Sequence, residues 1–107
     1  MPMKKMHKPP APFRDPRDIR TDAVLLAVKI ERCRQEHLHI QGNIPFTCVS
    51  PIVSCAEKLA VLTEEIGEVA RAVQERDKIN LREELIQVAA VAVAWAESLP
   101  APEPRKS

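Results

Sequence analysis

Two stretches of this chain say nearly the same thing: LTEEIGEVARAV at residues 62–73 and LREELIQVAAVA at residues 81–92. Aligned nineteen residues apart, Leu62 matches Leu81, Glu64 matches Glu83, Glu65 matches Glu84, Glu68 matches Gln87, and Val69 matches Val88. Apolar residues recur in steps of three and four through both, which is the period of a helix face. Leu59, Leu62, Ile66, Val69 and Val73 make that row in one helix, and Leu81, Leu85, Val88, Ala92, Trp95 and Leu99 make it in the next. The short polar link ERDKIN (75–80) joins them, so the pair should fold as an αα-hairpin with its arms nearly antiparallel. SCAE (54–57) and NLRE (80–83) each set a capping side chain three residues before a Glu, which marks both helix starts. Pro100 should end the second arm.

Upstream, Ala23, Leu26, Ile30, Cys33 and His37 form one more helical stripe, with Thr21 or Asp22 as its expected N-cap. The segment between, HIQGNIPFTCVSP (39–51), has no helical period and carries Gly42, Pro45 and Pro51, so it reads as a loop or extended link. Strand signals are absent. The expected fold is all-α: a three-helix unit built on a long αα-hairpin. Residues 1–20, rich in Pro and basic side chains, and residues 100–107, rich in Pro, read as mobile tails around a helical domain at 21–99. Such a domain is small for a self-sufficient core. The last helix also bears a second apolar face of Ile86, Ala89 and Val93, and a helix apolar nearly all round must be covered nearly all round. A homo-oligomeric helical bundle, dimer or tetramer, is therefore expected.

Sixteen basic and fifteen acidic side chains nearly cancel, so net charge selects no partner. Three aromatic residues and no Tyr give no stacking platform for a nucleic-acid polymer. The longest apolar run, VAAVAVAWA (88–96), is about half a membrane span, and no hydrophobic signal core opens the chain. No membrane partner is expected, and the cytoplasm is the expected compartment. Cys33, Cys48 and Cys55 are an odd set without a CxxC knuckle, which fits reduced thiols better than a disulfide framework or a zinc site. Trp95 lies on the core row and reads as packing.

The acidic positions carry the chemistry. Glu65 and Glu68 lie one turn apart on the flank of their apolar row, and Glu84 and Gln87 hold the same flank of the next helix. In an antiparallel hairpin the two pairs can face one another across a groove. Two carboxylates about 6 Å apart in a partly buried groove repel by roughly 3 kcal/mol at an effective dielectric near 20. Such a group needs a counter-charge or must take up protons. Oxygen ligands without His or Cys favour a hard cation such as Mg²⁺ or Mn²⁺, and a carboxylate-held magnesium suits phosphate hydrolysis.

EExxE on one helix (Glu64, Glu65, Glu68), joined by a short hairpin to ExxQ on the next (Glu84, Gln87), resembles the MazG-like all-α nucleoside triphosphate pyrophosphohydrolases, whose second motif is ExxD. The resemblance spans 57–99 and extends loosely to IERCRQEH (30–37). It implies cleavage of a nucleoside or deoxynucleoside triphosphate to the monophosphate and pyrophosphate. It assigns Glu65, Glu68, Glu84 and Gln87 to the metal, and Glu64 to a further ligand or to the base that orients the attacking water. It makes Arg34 and Gln35 candidates for phosphate or base contacts, although both also suit an ordinary helix surface. Gln87 departs from the family pattern, because an amide oxygen can ligate a cation but brings no charge. The site is then either tuned to weaker metal binding or retired, which leaves a non-catalytic nucleotide- or metal-binding protein as the alternative. A helical adaptor with merely solvated glutamates is the more distant alternative.

Overall fold

Ser54 starts the first arm of the hairpin. Its hydroxyl accepts the Glu57 backbone N–H at 3.1 Å and lies 3.1 Å from the Glu57 carboxylate, so the expected cap forms. In the computed structural model, which describes residues 15–100, this helix is α2 (Cys55–Gln74), preceded by α1 (Pro16–Ile40) and followed by α3 (Lys78–Ser98). No strand occurs among the described residues. The all-α expectation holds, and the remainder of the two expected tails lies outside the described residues.

Two helix starts differ from the sequence reading. α1 begins at Pro16, not near Thr21 or Asp22, because Asp15 accepts the Arg17 N–H at 2.9 Å. Proline in the first turn lacks only an N–H that has no intrahelical partner there. α3 begins at Lys78, not after Asn80, because Asp77 accepts the Asn80 N–H at 3.0 Å. A carboxylate three residues upstream thus takes the capping role expected of Asn80.

Both tight helix ends use the same pair of reversed bonds. At the end of α1, Gly42 N–H donates to His39 O and Asn43 N–H to Leu38 O. At the end of α2, Arg76 N–H donates to Val73 O and Asp77 N–H to Ala72 O. This geometry needs a left-handed residue after the cap. Gly42 supplies it at φ 78°, and Arg76 supplies it at φ 54° against the steric preference of an L side chain.

α3 is the central element: it packs against both α1 and α2, which do not pack against each other. Lys58, buried at the start of α2, donates to Ser98 Oγ at 2.7 Å, and Ser98 donates in turn to Trp95 O. This places a cation at the C-terminal end of α3, where the helix dipole favours it. Arg32, also buried, joins Glu36 on its own helix at 2.7 Å and Glu97 on α3 at 3.2 Å. The link from 41 to 54 folds back so that Cys48 is buried against Val91 and Ala94, with Val49, Val61, Leu62 and Trp95 around them. Trp95 packs, as expected.

The expected core stripe of α1 is corrected. Leu26 and Ile30 are 57% and 61% exposed, and Ala23, Cys33 and His37 are exposed with them. The face turned inward carries Val28, Glu31, Arg32, Gln35 and Glu36 instead. Burial of ion-paired side chains against α3 has displaced burial of the apolar row. On the hairpin, Leu59, Ile66, Val73, Leu85 and Leu99 are also about half exposed or more, and no large side chain among the described residues is fully buried. None of the three helices is long and apolar enough to cross a membrane.

Candidate functional site

Where α1, the 41–54 link and the hairpin meet, they enclose a cavity of about 350 Å³. Its lining mixes two chemistries. Arg34, Gln35, Glu64, Glu65 and Gln87 line one part, and Leu38, Ile44, Pro45 and Phe46 line another. The helix period explains the polar part: Glu65 lies one turn after Val61, which belongs to the inner face of α2, and Gln87 one turn before Val91, which is buried on α3. Pro45 and the Schellman-type end of α1 turn the link back over the groove, which brings Phe46 to the cavity wall.

Glu65 and Glu84 are half-buried, one on each arm, and each has one fully buried carboxylate oxygen, Oε2, with no hydrogen-bond partner. Burial pushes the Glu65 carboxyl above the ordinary carboxylate range, and the negative charges of Glu84, Glu68, Glu31 and Glu64 push it further. An orphaned, half-buried carboxylate oxygen forfeits hydrogen bonds it made with water in the unfolded chain. Two such oxygens on facing helices suit a hard divalent cation, which would satisfy both and offset their repulsion. The donor set is oxygen throughout, without a soft ligand that would favour zinc.

The structure does not draw every candidate into one shell. Among the described residues, no three His, Cys, Asp or Glu side chains converge closely enough to hold a metal ion. Glu65 lines the cavity and Glu84 does not, but the Glu84 charge acts on Glu65 from the other arm. Glu64 is exposed at the cavity edge. Glu68 is turned outward, 48% exposed, with Arg71 at 3.8 Å. Gln87 is half-buried and lines both the cavity and the adjoining cleft between α1 and α3. Arg34 and Gln35 reach the cavity from α1.

Sequence reasoning passed over two residues. Glu31 sits on the inner face of α1 and accepts hydrogen bonds from Arg34 and Gln35. The signal was its spacing, three and four residues before two candidate ligand contacts. Phe46 was overlooked because the aromatic count argued against a stacking surface. A single Phe between Pro45 and Pro51, in a segment without helical period, was the available sign.

Residues 54–100 match the family model of the MazG nucleotide pyrophosphohydrolase domain. No curated protein and no solved structure matches the chain. The matched segment is the α2–α3 hairpin from its Ser54 cap to Pro100, and it contains Glu64, Glu65, Glu68, Glu84 and Gln87. Over that segment the chain is similar to the MazG nucleotide pyrophosphohydrolase domain, and its all-helical hairpin is consistent with that family.

Proposed function

We propose that the protein is a Mg²⁺- or Mn²⁺-dependent pyrophosphohydrolase that converts a nucleoside or deoxynucleoside triphosphate to the monophosphate and pyrophosphate. The observation that carries this reading is the pair of orphaned oxygens on Glu65, which lines the cavity, and on Glu84, whose charge acts on Glu65 from the other arm of the hairpin that the MazG model matches. Glu65 and Glu84 would hold the cation, with Glu68 and Gln87 completing the set after side-chain rotation. When bound, the cation would neutralise phosphate charge and polarise the anhydride. Glu64, exposed at the cavity edge, would accept a proton from the attacking water or serve as a further ligand. Water oxygen bonds to the α-phosphorus while the bond to the α–β bridging oxygen breaks, and pyrophosphate leaves with that oxygen. Arg34 offers a guanidinium to the phosphates, Gln35 an amide, and the Leu38–Ile44–Phe46 wall an apolar seat for the base.

The exposed apolar rows on α1 and on the hairpin support assembly of two or four copies, since an apolar surface of this extent is rare on a lone soluble subunit. A cytoplasmic setting fits the three unpaired cysteines. Gln87 supports a second reading, a nucleotide-binding protein without turnover, because it leaves the family's fourth carboxylate position uncharged. Pyrophosphate release from a panel of canonical and modified nucleoside triphosphates tests both, with EDTA, Mg²⁺ or Mn²⁺. Metal-dependent release that is lost in Glu65→Ala is expected. Cation binding without release from any nucleotide would favour the second reading, and neither binding nor release would leave only a helical assembly module.

A further inference from the structure

Arg34 is the one cationic side chain lining the cavity among the described residues, and its position raises a difficulty for cation binding. The Glu65 charge acts on Arg34 across the groove, and the bare Oε2 of Glu65 is an acceptor that a free guanidinium would take. An arginine that paired there would occupy the carboxylate in the cation's place. Arg34 is instead bonded to Glu31. This side chain is only 12% exposed, and its two oxygens accept Arg34 Nε and Nη2, both at 2.7 Å. Gln35 Nε2 adds a third bond at 3.1 Å. Two parallel bonds to one carboxylate fix a planar guanidinium in orientation as well as position, and they leave Nη1 free to face an anion.

We propose that Glu31 is a positioning residue: it clamps Arg34 against α1, so that the Glu65–Glu84 pair stays open to a divalent cation while one edge of the guanidinium remains available for phosphate. The proposal rests on the reading that this pair binds the cation. Glu31 serves the site through Arg34, without itself having to touch the metal.

Mn²⁺ titration of the full chain, followed by the loss of the free-ion electron paramagnetic resonance signal, tests the clamp without any turnover. Glu31→Gln should weaken Mn²⁺ binding by about tenfold or more, the scale of one charge pair in a partly buried groove. Adding Arg34→Ala to Glu31→Gln should restore the affinity, since no guanidinium is then left to fill the groove. Adding Arg82→Ala instead should not. Arg82 shares the adjoining cleft with Glu31, Arg34 and Gln87, so it restores the same net charge while Arg34 stays free. Unchanged binding in Glu31→Gln would overturn the clamp. Failure of Arg34→Ala to rescue would make Glu31 a ligand, and equal rescue by Arg82→Ala would reduce the effect to net charge. Should Glu31→Gln not fold, Arg34→Ala alone decides the matter: affinity should hold or rise, and a fall refutes the proposal. Wild-type protein that binds no Mn²⁺, or binds it as well with Glu65→Gln, would refute the cation site itself and the clamp with it.

Discussion

Replacing Glu65 with Gln should stabilise the cation-free protein, although it removes a functional side chain. Facing helices pack with axes about 8–10 Å apart, and two unit charges about 8 Å apart repel by roughly 2 kcal/mol at an effective dielectric near 20. Partial exposure of the groove reduces this to about 1 kcal/mol. The Gln amide adds a donor that can face the orphaned oxygen of Glu84, and satisfying a buried acceptor contributes about 1 kcal/mol more. The expected gain of about 2 kcal/mol is a rise in Tm of roughly 8–16 °C for a domain of this size. Thermal melts at fixed protein concentration in EDTA read it directly. With Mg²⁺ at about a hundred times Kd, the wild type should gain about 2.7 kcal/mol and Glu65→Gln very little, so the order of the two proteins inverts. The pH dependence has a definite sign. The Glu65 carboxyl is raised in the folded state above its ordinary 4.5, so its contribution to stability is full below that value and is lost as pH rises through the folded pKa. Cation-free wild type should therefore lose stability over that interval, and Glu65→Gln should lack the loss. A variant less stable than wild type in EDTA, or one with the same Mg²⁺ increment, would refute the reasoning.

Gln87→Asp should tighten Mn²⁺ binding by about tenfold or more, since a charge returns to a half-buried position; an unchanged titration would place the amide outside the cation's reach. The two left-handed cap residues should respond with opposite signs in chemical denaturation. Gly42→Ala meets no neighbour with its new Cβ, so its cost of about 1–2 kcal/mol is backbone conformation alone, whereas Arg76→Gly should gain about 0.5–1 kcal/mol. Leu26→Glu and Ile66→Glu, each at a half-exposed apolar position, should lower the mass measured by light scattering while helix content is retained; an unchanged mass would exclude that row from a subunit interface.

The hairpin was legible because most local signals agreed with it, although its second arm is capped by Asp77 and not by Asn80. The Ser54 cap, the three-and-four apolar rows and the polar link between them point the same way, and agreement across levels is what makes a fold readable. The same periodicity put Glu65 and Glu84 on matching flanks of the two arms, and the Glu84 charge does act on Glu65. The start of α1 was misplaced for a specific reason: Pro16 was counted as a mark of a tail, when a proline directly after Asp15 is also a helix-start signal. The cavity wall was illegible in a different way. Phe46 and Cys48 sit in a segment without a period, and only the chain's return over the groove decides that they face it. Glu31 was hidden by its type, since a carboxylate on a predicted helix surface is ordinarily solvated.

Helix α1 shows why periodicity alone misassigned its inner face. The apolar row Ala23–Leu26–Ile30 is a sound helical stripe, yet the face that meets α3 carries Glu31, Arg32, Gln35 and Glu36. Burial of those groups is costly unless each is paired, and they are paired: Arg32 to Glu36 and Glu97, Glu31 to Arg34 and Gln35. The cost of the Glu36 carboxylate's burial is outweighed by its bonds with Arg32 and Thr47, which hold its pKa below the ordinary range. A helix whose only task was to cover a core would have turned its leucines inward. The inverted arrangement follows if α1 has two tasks: its polar face supplies Arg34 and Gln35 to the cavity under the control of Glu31, and its apolar face is left for a second copy of the chain. On that view the small buried core is no defect of the fold. The interior then serves the proposed site, and the apolar rows left outside would be the surface through which the proposed assembly completes the fold's stability.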